Sequence, residues 1–143
     1  KIINTLKSLN VNLNLITDGD VLGALLVADP KNKVDIFMGI GGGPEGVLAA
    51  AALSCFNCQM QAKLIFQSDN EKIRAKKMGI KDLERKYNIN DIIKGDVIFC
   101  ATGITDGKLV KGIENLGTKF RSETYVTHKS SKLFTTLSED IKK

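Results

Sequence analysis

This chain has few of the features that mark specialised classes. It has no apolar run near the ~18 residues that a bilayer span requires. Its first residues, Lys1-Ile-Ile-Asn-Thr-Leu-Lys, lack the apolar centre and cleavage site of a signal peptide. Position 1 is not methionine, and the chain begins inside a helical pattern, so a portion of a longer polypeptide is expected. Aromatics make up only 6% of the residues and are not interleaved with the lysines. The net charge of +5 is dispersed among acids, so the basic stripe of a nucleic-acid binder is missing. There is one histidine and there are three cysteines, an odd number that fits a reducing, cytoplasmic setting. Cys55-Phe-Asn-Cys58 has C-x-x-C spacing, but it falls at the carboxyl end of an Ala-rich helix, where a thiolate gains nothing from the dipole. A zinc site there would need Cys100 and His128 as well. Buried structural thiols are the simpler reading.

What is present reads as one α/β domain over residues 1–143, enough chain for a single core. Ile2, Ile3, Leu6 and Leu9 have helical spacing. Val11–Ile16 and Val34–Met38 read as strands, followed by helices over 21–28 and 44–53. Further strands are expected over 60–66, 95–101, 123–128 and 133–137. A polar helix is expected over 70–78, with Asp69 as its cap and Gly79 as its end. Residues 81–90 read as irregular or a short helical turn, 91–94 as one more helical turn, and the acidic and lysine-bearing tail is expected to fray. Alternating strands and helices with a strand-rich last third predict a layered, mixed sheet with helices packed on it.

The centre of the pattern is Val34-Asp-Ile-Phe-Met-Gly-Ile-Gly-Gly-Gly-Pro-Glu-Gly-Val-Leu48. Its glycines let the backbone approach something closely. Pro44 suits the first turn of a helix. The free N–H groups at that helix end favour an anion. Glu45 stands in the same turn and would repel a phosphate unless a cation lay between them. Three strand ends carry polar loops, namely Asp18-Gly-Asp20, Gly41–Glu45 and Thr102–Asp106. Ligands of open α/β sheets lie beyond such ends. Asp18, Asp20, Glu45 and Asp106 could together offer the oxygen ligands that Mg²⁺ or Mn²⁺ prefers. Duller roles are open to each: Asp18 as a helix cap, Asp20 and Glu45 against helix dipoles, and Asp106 closing a turn. Gly41-Gly-Gly43-Pro-Glu-Gly46 also matches the G-x-G-x-x-G of dinucleotide sites, although Glu45 would face the pyrophosphate.

Three stretches in this order resemble the class II fructose-1,6-bisphosphatases: Ile16-Thr-Asp-Gly-Asp-Val21, Gly39–Leu53 and Lys94–Gly107. Met60-Gln-Ala-Lys-Leu and Ala75-Lys-Lys-Met-Gly-Ile80 add to the resemblance, which covers roughly residues 1–125. It implies the C-terminal portion of a metal-dependent sugar-bisphosphate phosphatase of gluconeogenesis, with the layered α/β fold of the sugar-phosphatase superfamily. Asp18, Gly19, Asp20 and Gly42 would contact the sugar bisphosphate, and Glu45 would ligate Mn²⁺ or Mg²⁺. The ligands still needed would come from an N-terminal half of the same enzyme, and a homo-oligomer is expected. The isolated chain is then expected to be inactive. Thr127-His-Lys-Ser130 and Leu133-Phe-Thr-Thr136 depart from the Met-Arg-Ser type segment and later Arg of the family. A non-catalytic sugar-phosphate-binding or assembly module and a dinucleotide-binding domain are the alternatives.

Overall fold

One Ala-rich contact joins three helices to one another, and a second holds two of them onto one face of an antiparallel sheet. The computed structural model describes residues 2–143. Helices run over Ile2–Ser8 (α1), Asp20–Leu26 (α2), Gly43–Cys55 (α3), Asp69–Lys77 (α4) and Ile89–Ile92 (α5). Strands run over Gln61–Lys63 (β1), Lys86–Asn88 (β2), Ile98–Thr102 (β3), Glu114–Asn115 (β4), Lys119–His128 (β5) and Leu133–Lys142 (β6). β1 pairs with β2, and β5 lies between β3 and β6 with β4 also pairing to it. The architecture is α/β with packed helices. Every recorded pairing is antiparallel, so the expected mixing of strand directions does not occur among the described residues.

α3 forms because alanine loses no side-chain freedom in a helix and Pro44 presets the first turn. Its alanines also let neighbours come close. Ala49 and Leu53 are buried with Ala24 of α2 and Ile89 of α5. Ala52 meets Leu25 and Phe99, and Tyr125 and Ala101 pack around them. Register places Phe99, Thr127 and Phe134 opposite one another on this covered face. Phe134 stacks on Phe56 with ring centroids 4.7 Å apart.

α2 reaches the core because residue 23 is glycine. A Cβ there would stand 2.6 Å from Phe37 Cε2 and 2.8 Å from Ile16 Cδ1. Ile16 and Phe37 belong to the two segments expected as strands, 11–16 and 34–38. Neither segment joins a ladder among the described residues, and each runs unpaired into its helix. Periodicity found their apolar content, whereas a ladder also needs a neighbour at hydrogen-bonding distance.

Other corrections are local. The strand expected over 60–66 shortens to β1, and residues 86–88, read as irregular, pair with it. Ser68 caps α4, accepting from the Glu71 N–H at 3.3 Å, and Asp69 is the first helical residue. Gly79 ends α4 at φ +95°. The tail expected to fray forms β6, where Arg121 donates to both carboxylate oxygens of Asp140, at 2.8 and 3.2 Å.

His128 has partners that periodicity could not reveal. Its Nε2 lies 2.8 Å from Asp96 Oδ2 and its Nδ1 2.8 Å from Ser131 Oγ. Asp96 also accepts from Ser130 Oγ at 2.6 Å and from the Ser130 N–H at 3.1 Å. The approach to β3 is thereby latched to the β5–β6 turn. The Ser130 hydroxyl first, then His128 and the Val97 N–H, hold the Asp96 carboxyl well below the usual carboxylate range.

Two outcomes follow from these contacts. Gly23→Ala must push α2 off Phe37 and Ile16, and we expect about 1–3 kcal/mol of destabilisation in urea titrations. An unchanged midpoint would contradict the close approach. Asp96 is more acidic folded than unfolded, so its contribution is complete above about pH 4 and fades as the pH falls below that. Going from about pH 7 to about pH 3 should lower the Tm of the native chain more than that of Asp96→Asn. Equal losses would show that the latch is idle.

Candidate active site

Asp18-Gly19-Asp20 bends sharply into α2. Gly19 has φ +78° and ψ 43°, a left-handed conformation that strains any L side chain, and its carbonyl accepts the Gly23 N–H at 2.8 Å. Asp20 is the first residue of α2. Its carboxylate does not point away into water but lies along the glycine loop. A Cβ on Gly41 would collide with Asp20 Oδ2, and one on Gly39 would stand 3.9 Å from Oδ1. The bare backbone at 39–41 is therefore the seat of the Asp20 side chain.

Gly42 caps α3 in an extended conformation, φ −68° and ψ 156°, with no side-chain cap. Glu45 stands in the first turn, and its carboxylate folds back over Gly42, into the space that a Cβ on that glycine would fill. Asp20 and Glu45 thus sit over adjacent residues of one loop. Neither they nor Asp18 is held by a hydrogen bond or ion pair from the described residues. Two carboxylates without protein partners among the described residues, the exposed Glu45 and the half-buried Asp20, next to the N–H groups that open a 13-residue helix, suit a cation and an anion bound together.

Asp106 does not join them. Its Oδ1 accepts the Gly112 N–H at 2.9 Å and closes the loop after β3. Glu123 straps the same loop from β5, its carboxylate accepting the Lys111 N–H at 2.9 Å and its carbonyl the Gly103 N–H at 3.0 Å. Glu123 has no loop signal in sequence and was not among the expected residues. The loop rests on α2 around an apolar cavity of about 220 Å³ lined by Val21, Leu22, Leu109 and Val110, among others. Among the described residues no group of three metal-binding side chains comes together, so the expected gathering of four carboxylates is not formed. The carboxylate oxygens of Glu45 are donors that suit a hard divalent ion.

The remaining candidates lie apart from the glycine loop. Cys55 is buried, and burial pushes the Cys58 thiol up, against a reactive thiolate. Cys100 lies on β3 opposite Val126, and His128 serves the latch. A larger cavity, about 660 Å³, opens beside the carboxyl end of α3 among Ser54, Cys58, Asn88 and Lys129. None of the expected site residues lines it. It lies one helix length, roughly 18 Å, from the glycine loop.

The model of the family described as bacterial fructose-1,6-bisphosphatase, glpX-encoded, matches residues 1–140. The chain belongs to that family. It is 34% identical over 146 residues to a D-fructose 1,6-bisphosphatase class 2/sedoheptulose 1,7-bisphosphatase of a Synechococcus species, covering 92% of this chain and 42% of the relative. It is 36% identical over 145 residues to the fructose-1,6-bisphosphatase class 2 of Haemophilus influenzae, covering 92% of this chain and 43% of the relative. The chain therefore spans less than half the length of these curated relatives. Membership in the fructose-1,6-bisphosphatase family, together with two carboxylates over the glycine loop, sets the dinucleotide reading aside. Among the described residues no helix is long and apolar enough to cross a membrane.

The contact between Asp20 and the loop has a direct readout. Asp20→Ala should move the Gly39 and Gly41 amide resonances, whereas Asp106→Ala should move Gly112 and leave those two in place. A Gly41 resonance indifferent to Asp20→Ala would refute the seat described above.

Proposed function

We propose that this chain supplies the sugar-binding part and one metal ligand of a fructose-1,6-bisphosphatase that hydrolyses the 1-phosphate of fructose 1,6-bisphosphate in gluconeogenesis. The observation that carries the reading is the joint placement of the Asp20 and Glu45 carboxylates on one glycine loop, in a chain of this family. The Asp18 and Asp20 carboxylates accept hydrogen bonds from sugar hydroxyls. The backbone at Gly42, at the positive end of α3, takes a phosphoryl oxygen. Gly19 fixes the spacing of the two aspartates through its left-handed turn. Glu45 holds a divalent ion, Mn²⁺ or Mg²⁺, and without one its charge would repel the phosphate. When bound, that ion supplies an activated water and neutralises charge on the phosphoryl oxygens.

Further ligands come from the rest of the polypeptide, so the isolated chain is inactive. The assembled enzyme is a cytoplasmic homo-oligomer. The printed name of one relative extends the substrate class to sedoheptulose 1,7-bisphosphate. A second reading, a non-catalytic sugar-phosphate-binding or assembly module, is favoured by one observation: no three-ligand group forms among the described residues.

The test is phosphate release from fructose 1,6-bisphosphate by this chain joined to the part of a relative outside the matched stretch. Activity should require Mn²⁺ or Mg²⁺. Changes around metal ligands typically cost 10–100-fold, so Glu45→Gln, at a ligand itself, should cost about 100-fold or more. Full activity in Glu45→Gln would remove Glu45 from the metal. Sugar-bisphosphate binding with no turnover and no metal effect would establish the module instead.

A further inference from the structure

The segment 36–40 that leads into the site is apolar on both sides, and only one side is covered. Its companion, 11–16, alternates Asn12 and Asn14 with apolar residues. Along 36–40, Phe37 turns inward onto Gly23, while the alternating Ile36, Met38 and Ile40 are 69%, 60% and 81% exposed. In the companion segment Ile16 packs on Gly23, and Leu15 is 66% exposed. Among the described residues, 11–18 and 34–41 make no backbone–backbone hydrogen bonds. Extended chain that is apolar on both sides belongs inside a layered structure, where its outer side is covered as well. A run of exposed apolar side chains beside open backbone groups marks a place where another polypeptide sits.

The site indicates which polypeptide. The row Ile36–Met38–Ile40 runs directly into Gly41 and Glu45, where the described residues provide too few ligands for a metal. A second copy would bring the same incomplete set. The curated relatives carry more than half their length outside the stretch that matches this chain. We propose that the apolar row Leu15, Ile36, Met38 and Ile40 is the seat of that remaining portion of the phosphatase, which covers the row and pairs with the open backbone of 34–41. Docking there brings the other portion's side chains to the rim at Glu45. The inference rests on the phosphatase reading above and adds the surface on which the enzyme is completed.

The experiment mixes the purified chain with the part of the Haemophilus influenzae relative outside the matched stretch. Light scattering after gel filtration gives the mass, and calorimetry gives the Kd. A one-to-one complex is expected. Met38→Lys and, separately, Ile40→Lys should weaken it roughly tenfold or more while leaving the circular dichroism spectrum of the free chain unchanged. Ile73→Lys, at an exposed position on α4, should bind as the native chain does. No complex with the native chain would overturn the proposal. So would a complex indifferent to both lysines, or a homodimer that the lysines dissociate. Phosphate release separates this from the phosphatase reading. A lysine-sensitive complex without hydrolysis keeps the docking surface and loses the phosphatase, whereas hydrolysis undiminished in both variants does the reverse.

Discussion

Close approach across missing side chains is the constraint on which the site depends. Gly23 lets α2 lie on Phe37 and Ile16, and those two residues sit in the segments that lead into the glycine loop and into Asp18. Once α2 is so placed, its first residue, Asp20, falls against Gly39 and Gly41, which have no Cβ to keep it off. α3 is drawn to α2 through Ala49 and Ala52, small residues that let the helices approach. That brings Glu45 to the same loop. Among the described residues no salt bridge or disulfide takes part. The placement of two unpartnered carboxylates comes from packing alone.

Such a placement has an electrostatic cost that function must offset. Carboxylates near one another, and near a phosphate, repel. Glu45 is exposed and Asp20 half-buried, so solvent screening keeps the cost small for the free chain. In the proposed enzyme a divalent ion would reverse the sign of the interaction and turn the same residues into a binding site. The rest of the domain is quieter. Asp106 and Glu123 are spent on the loop after β3, and Asp96 and His128 on the β5–β6 turn. Some acidic residues are thus used by the fold, whereas Asp20 and Glu45 lie at the loop without such a partner among the described residues.

Much of this could be read in the residues. The Ala-rich run from Val47 to Leu53, the Pro44 start and the Gly79 stop follow from local rules, and α3 and α4 fall close to where those rules put them. The conflict between Glu45 and an anion was visible because helix-end electrostatics is local. Tertiary choices were not. Asp106 read first as closing a turn with Gly107 and second as a metal ligand, and Gly112, brought near by folding, is the partner that the structure gives it. The pairing of His128 with Asp96 was hidden because Asp96 lies 32 residues away. Segments 11–16 and 34–38 have strand-like side chains, but a strand also needs a neighbour, and sequence period says nothing of that. Three long motifs in order carried the family, which residue chemistry alone could not have named.

The most direct test of the central claim is a manganese-edge anomalous difference map from crystals of the completed enzyme grown with fructose 1,6-bisphosphate. The account predicts a peak in coordination contact with a Glu45 carboxylate oxygen, and a sugar whose hydroxyls meet Asp18 and Asp20. A well-occupied sugar phosphate on the glycine loop, with every manganese peak remote from Glu45, would contradict it.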